Sequence, residues 1–218
     1  SGLLFPVFNG TTMVLLARWD VDVFLHAIQH YRVTQCGLLV DSVDEILEYP
    51  KIYDFDINSL TATGCISFTK KLTADYRTRW QALTGCILHE FSYGMTETNT
   101  CDTFTLGFQS NNFDLSFSPT FVGLPVPGTE FKVCDFESGE LVPLGSEGEL
   151  CIRSPSLFKG YWGSEQSTRL NNNWFHTGDI GLITDAGFIR YLGRRKEMLK
   201  VNGMSVFPSE LEAMLGQH

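Results

Sequence analysis

The chain lacks a C-x-x-C pair, a long apolar run, an excess of positive charge, an internal repeat and any low-complexity stretch. Its six cysteines (Cys36, Cys65, Cys86, Cys101, Cys134 and Cys151) sit mostly inside apolar segments, so they read as reduced, buried thiols of a cytoplasmic protein. No apolar segment reaches the roughly 18 residues that a membrane span needs, and no span is predicted. Leu3-Leu4-Phe5-Pro6-Val7-Phe8 has no basic region ahead of it, which argues against a signal peptide. The net charge of −9 argues against a nucleic-acid surface, which needs a basic face to displace counterions. It leaves ATP open, since a small polyanion needs only a local cluster of donors and a metal. The chain begins inside an apolar segment without an initiator Met and stops at Gly216-Gln217-His218, where a helix has just started. The expectation is a segment of a longer protein.

What is present suffices for a packed core: 218 residues, 43% hydrophobic and 19% charged. Residues 1–100 alternate strand and helix signals. Strands are expected at Thr11–Ala17, Val33–Val40, Thr61–Ser67 and Cys86–Phe91. Helices are expected at Val21–Tyr31, from the capping box Ser42-x-x-Glu45 to before Pro50, and at Ala74–Leu83. Strand, helix, strand with short connections implies βα units and a largely parallel sheet. From about residue 101, short β runs separated by turns follow: Phe104–Phe108, Glu130–Cys134, Glu149–Arg153, Gly181–Thr184 and Phe188–Leu192. Glu137-Ser138-Gly139-Glu140 and Asp185-Ala186-Gly187 read as hairpin turns. Residues 194–201 read as one more strand, and Pro208-Ser209-Glu210 as a helix start. The fold class is α/β: part of a layered domain (1–100), a small barrel-like β-rich subdomain (101–192), and the first strand and helix of a further domain (193–218).

Three blocks carry candidate chemistry. Tyr93-Gly94-Met95-Thr96-Glu97-Thr98 follows a strand directly, at the carboxyl edge where open α/β sheets bind ligands. Thr96 offers a hydroxyl and an N–H to phosphate, Glu97 a hard oxygen to Mg²⁺, and Tyr93 a flat face with a polar tip. In Thr177-Gly178-Asp179, a carboxylate after a glycine turn can accept both hydroxyls of a ribose. In Gly193-Arg194-Arg195-Lys196, Arg194 can bind ribose or phosphate through its guanidinium fork. Taken singly, each block also fits a plain turn or a solvated strand end. Three weaker groups read as structural. His26 and His30 have metal-pair spacing but no third ligand. Asp41, Asp44, Glu45 and Glu48 read as a solvated helix face. The phenylalanines between Phe104 and Phe121 read as core rather than an acyl-binding wall.

Five ordered segments, YGMTET, GLPVPGTEFKV (Gly123–Val133), GELCIRSPSLFKGYW (Gly148–Trp162), WFHTGDIG and GRRKEMLKVNG, resemble the adenylate-forming superfamily of acyl-CoA synthetases, luciferases and peptide-synthetase adenylation domains. Met95 and FHTGDIG resemble the acyl-CoA synthetases more. The resemblance implies an enzyme that joins a carboxylic, expectedly fatty, acid to AMP from ATP and passes the acyl group to coenzyme A, with Mg²⁺. By position it implies phosphate contact by Thr96 and a metal ligand in Glu97. Tyr93, Gly94 and Met95 would line the nucleotide and acyl pocket. Asp179 would hold the ribose, Tyr191 would lie near the nucleotide, and Arg194 would contact ribose or phosphate. Lys196 would be the hinge and Lys200 would serve thioester formation. The family's phosphate loop and its adenylation Lys would lie outside the sequence at hand. Where the family has Ser-Gly-Gly-Ala-x-Leu, this chain has Ser67-Phe68-Thr69-Lys70-Lys71-Leu72, which predicts a crowded adenine site. Two alternatives stand beside the ligase: a diverged binding module without catalysis, and a domain that loads a carrier-protein thiol. The acid and the oligomeric state are left open.

Overall fold

A computed structural model describes residues 4–67, 70–117, 120–163, 170–201 and 204–206, together with 208, 211 and 215. The chain divides into two compact units, Ser1–Phe91 and Ser92–His218. The Tyr93 turn therefore belongs with the β-rich unit.

The first unit contains α1 (Leu4–Asn9), α2 (Val21–Tyr31), β1 (Gln35–Leu39), α3 (Val40–Leu47), β2 (Ala62–Ile66), α4 (Ala74–Thr84) and β3 (Leu88–Glu90). The strands form a parallel sheet in the order β1-β2-β3, as the βα alternation predicts. Helix α2 starts where Asp20 accepts the Val23 N–H at 3.0 Å, and it ends at Arg32 in the left-handed region. Its Val21, Leu25 and Ile28 are buried, as are Val40, Val43 and Ile46 of α3 and Trp80 of α4. The Phe91 ring lies against Gly37 and Gly64, where a Cβ on either residue would overlap it.

Three expectations fail here, each for a stated reason. Thr11–Ala17 forms no strand, because no described residue supplies a ladder partner and β propensity alone does not hold a strand. Helix α3 begins at Val40, so Ser42 lies inside it and the N-cap position, Leu39, makes no side-chain cap bond. Burying three aliphatic side chains, at about 1.5–3 kcal/mol each, outweighs a cap worth about 1 kcal/mol. The acidic face of that helix is not merely solvated. Asp44 pairs with Lys70 and accepts the Tyr76 hydroxyl, Glu48 pairs with Arg79, and Glu45 accepts the Trp19 indole N–H. His26, by contrast, stays exposed and bonds within its own helix turn to the Asp22 carbonyl.

The second unit is built on β4 (Thr120–Phe121), β5 (Glu130–Cys134), β6 (Gly148–Arg153), β7 (Leu170–Asn171), β8 (Trp174–Ile183) and β9 (Ile189–Arg194). The antiparallel order is β4-β9-β8-β6-β5, with β7 paired to β8. The path is open, so the barrel-like expectation resolves to a sheet. Both expected hairpin turns are present: Asp135 N–H meets the Glu140 carbonyl at 2.8 Å, and Thr184 N–H meets that of Phe188 at 2.9 Å. A third hairpin turns on Asn172 and Asn173, both at positive φ, the preference of a two-residue primed turn. Val133, Leu150, Ile152 and Ile189 pack with Tyr93 and Val122 into one core. Phe108, Phe113, Phe117, Phe121 and Phe188 stack among themselves with centroids 5.1–6.4 Å apart, but only Phe121 is buried and Phe113 is 40% exposed, so the cluster is a partly open aromatic patch rather than the core expected.

Residues 194–201 are not one strand. Met198 N–H turns back to the Arg194 and Arg195 carbonyls, closing a 3₁₀ turn at Arg195–Glu197. Then come β10 (Leu199–Val201) and its antiparallel partner β11 (Met204–Val206). Pro208 is helical, and most of the helix expected after it lies outside the described residues. Among the described residues, no helix is long and apolar enough to cross a membrane.

Candidate active site

The site is assembled from the Tyr93 turn and from the facing ends of β8 and β9. Gly94-Met95 pairs with Thr100-Cys101, and one 3₁₀ turn, Thr96–Thr98, lies between them. The loop is held from beneath. Tyr93 N–H donates to Thr103 Oγ1 at 2.8 Å, and Asp102 N–H to the Tyr93 carbonyl at 2.7 Å. The Thr98 hydroxyl lies 2.6 Å from Asp102 Oδ2. Asp102 is fully buried, and its Oδ1 has no hydrogen-bond partner among the described residues. Desolvation pushes this carboxyl up to about 6, against the opposing Thr98 bond.

Across the sheet, Asp179 pairs in register with Arg194. Arg194 Nε lies 3.0 Å from Asp179 Oδ1, and the Tyr93 hydroxyl donates to Asp179 Oδ2 at 2.5 Å. The Tyr191 ring lies 6.0 Å from that of Tyr93. Asp179 is buried while the Arg194 side chain is 44% exposed, so the carboxylate is anchored at the mouth of the site. Burial and the Asp179 charge raise the Tyr93 hydroxyl well above its ordinary range, and that of Tyr191 to about 12. Both phenols therefore stay protonated donors. The Asp179 charge raises Arg194 in turn.

Four of the sequence-predicted residues, Tyr93, Asp179, Tyr191 and Arg194, thus form one contact group. Glu97 is held differently. Its Oε1 accepts the Tyr161 hydroxyl at 2.5 Å and its carbonyl accepts the Phe158 N–H at 2.8 Å. No bond joins it to Asp179 or Arg194 among the described residues. Gly94 and Thr96 are exposed and Met95 half-buried. Lys196 is exposed in its 3₁₀ turn, and Lys200 faces Ser205 across the β10–β11 ladder. In the Ser67–Leu72 segment, Phe68 and Thr69 lie outside the described residues. Lys70 is tied to α3 through Asp44, and its N–H approaches Asp41. Buried Glu90 accepts both the N–H and the hydroxyl of Ser67.

Sequence reasoning missed Tyr161, Asp102 and Glu149. Glu149, Cys151 and His176 are also the one described group with metal-ligand donors close together, all within 4.8 Å. Hydrogen bonds already occupy it, however: His176 Nδ1 lies 2.8 Å from Glu149 Oε2 and 3.4 Å from Cys151 Sγ. Burial, the neighbouring Cys134 and the Glu149 charge drive the Cys151 thiol far above its ordinary range, which opposes the thiolate a metal requires. A metal at Glu97 fits better. This half-buried carboxylate spends one oxygen on Tyr161, and the other has no partner among the described residues. A hard carboxylate oxygen is a ligand that Mg²⁺ prefers.

Residues 1–162 match the AMP-binding enzyme model, a span that holds the Tyr93–Thr98 turn and the Gly123–Val133 and Gly148–Trp162 segments. The chain belongs to the AMP-binding enzyme family. It is 33% identical to the long-chain-fatty-acid–CoA ligase of Escherichia coli O157:H7, over 99% of this chain and 37% of that protein. A crystal structure of the anthranilate CoA ligase AuaEII in complex with anthranoyl-AMP superposes with a TM-score of 0.81 at 27% identity, over 99% of this chain and 40% of that one. ATP-bound MatB from Rhodopseudomonas palustris gives 0.76 at 28% identity, over 98% and 41%. The chain thus spans about two fifths of the length of these relatives.

Proposed function

We propose that the chain supplies the nucleotide-handling part of an ATP-dependent acid–thiol ligase. Its reaction activates a carboxylic acid, expectedly a fatty acid, and passes the acyl group to coenzyme A. The observation that carries this reading is the buried Asp179 carboxylate, held between Tyr93 and Arg194 and presented beside the Tyr93–Thr98 turn. A carboxylate fixed in that way accepts the two hydroxyls of a ribose, and Arg194 reaches ribose or phosphate with the half of its side chain that is exposed.

In the first half-reaction the acid's carboxylate oxygen attacks the α-phosphorus. The bond to the pyrophosphate oxygen breaks, and pyrophosphate leaves. In the second, sulfur of coenzyme A attacks the acyl carbon, AMP leaves with its bonding electrons, and the thiol proton goes to solvent. Thr96 contacts phosphate and Glu97 holds Mg²⁺, which when bound neutralises phosphate charge. Tyr93, Gly94 and Met95 line the pocket, and Tyr191 packs by the nucleotide. Lys196 serves as a hinge between the two half-reactions, and Lys200 serves the thioester step. The soluble, cytoplasmic setting is part of the same proposal.

The test uses the whole protein. MgATP is titrated by calorimetry and hexadecanoate-dependent pyrophosphate exchange is followed, for wild type and Asp179→Ala. Saturable Mg²⁺-dependent binding that Asp179→Ala weakens is the expected result. No binding by wild type, or equal binding by both, rejects the reading.

A further inference from the structure

Between β6 and β8 the register jumps. Glu149 faces Ile180, yet Cys151 faces His176, so Thr177, Gly178 and Asp179 bulge opposite the single residue Leu150. A bulge leaves backbone N–H groups without ladder partners, and an unpaired buried N–H costs about 1–3 kcal/mol. Side chains close this gap. Glu149 Oε1 accepts the Gly178 N–H at 2.9 Å, and Oε2 lies 2.8 Å from His176 Nδ1. The two oxygens of one carboxylate thus bracket Thr177. Thr177 adds its own ties, donating from its hydroxyl to the Leu150 carbonyl at 2.7 Å and accepting the Asp179 N–H at 3.0 Å. The Glu149 side chain is only 12% exposed, so these are shielded, charge-assisted bonds. Gly178 holds φ at 75°, the left-handed turn that the clamped bulge demands.

We propose that Glu149, backed by His176, is a positioning residue for nucleotide binding: its carboxylate fixes the bulge that aims Asp179. It touches no nucleotide and acts through Asp179. Without it the Gly178 N–H and His176 lose the carboxylate that ties the bulge to β6, and Asp179, one residue on from Gly178, is no longer held in a single orientation. This rests on the ribose reading of Asp179 in the preceding subsection.

The experiment is a double-variant cycle on the whole protein, with MgATP affinity by calorimetry and pyrophosphate exchange as readouts. Glu149→Ala is expected to weaken MgATP binding about 10- to 100-fold, the equivalent of one or two buried bonds. Its KM for ATP should rise while kcat changes little, the pattern of lost uniform binding. Glu149→Asp keeps the charge but not the reach and should lose similarly. Glu149→Gln keeps an acceptor for Gly178 and should recover most of the affinity. In the Asp179→Ala background, Glu149→Ala should add less than threefold, whereas a merely structural loss would multiply. Multiplying effects, or Asp and Gln variants that both match wild type, overturn the clamp while leaving the ribose reading intact. If Asp179→Ala itself binds MgATP as wild type does, both fall. Should Glu149→Ala fail to fold, the Asp and Gln variants decide alone.

Discussion

Helix α3 and the Tyr93–Asp179 region spend their charged side chains differently. On α3 the acids face partly open partners: Asp44 with Lys70, whose side chains are 25% and 46% exposed, and Glu48 with Arg79, at 65% and 38%. In the second unit Asp179 is 3% exposed in its side chain and Asp102 is wholly buried. Exposed pairs are worth about 0–1 kcal/mol, whereas a buried carboxylate governs several, in either direction. The surface pairs brace helices. Buried Asp179 is held by the groups aimed at it, the Tyr93 hydroxyl and the Arg194 guanidinium.

This contrast can be broken in order of size. Replacing Asp179 by Ala is expected to lower MgATP affinity about 100-fold, since two bonds to a charged acceptor are lost; titration of the whole protein reads it. Asp102→Asn probes a carboxyl that sits raised to about 6. A raised carboxyl binds its proton more tightly in the folded state than in the unfolded one. Stability is therefore retained at or below about pH 4 and lost as pH climbs to about 6, by about 2–3 kcal/mol. The always-neutral Asn should flatten that slope, so that variant minus wild type grows between pH 4 and 7 in urea unfolding. A slope unchanged by the substitution would place the titration elsewhere. Tyr93→Phe removes the 2.5 Å bond to Asp179 and should cost about 1.5–3 kcal/mol in stability, with weaker MgATP binding. Glu48→Ala in the first unit should shift stability by less than about 1 kcal/mol and vanish into the noise at 1 M salt. A larger loss there would erase the difference between the α3 pairs and the Asp179 group.

Local signals were legible wherever a single segment decides the outcome. Val21–Tyr31 is the helix its apolar spacing predicts, and Glu130–Cys134 is the strand expected. The Tyr93, Asp179 and Arg194 blocks stood out because they combine hydroxyl, carboxylate and guanidinium after glycine turns. Pairing was less visible. Thr11–Ala17 has strand composition and no ladder, and the Asn172-Asn173 turn passed unread beside a third asparagine. Glu149 looked like an ordinary strand residue, because its role exists only once β8 bulges against β6. Asp102 was invisible for a similar cause: nothing in Asn99-Thr100-Cys101-Asp102 announces a carboxyl without water.

The six thiols differ in access, and that gives the protein a built-in handle. Cys65, Cys86, Cys134 and Cys151 are shielded, Cys36 is half-shielded with its thiol pushed up to about 11, and Cys101 alone is open. Cys101 sits directly opposite Gly94. A maleimide dye at neutral pH should therefore settle on one sulfur, beside the turn read as gripping phosphate. Fluorescence could then follow that turn in real time in the unmutated chain.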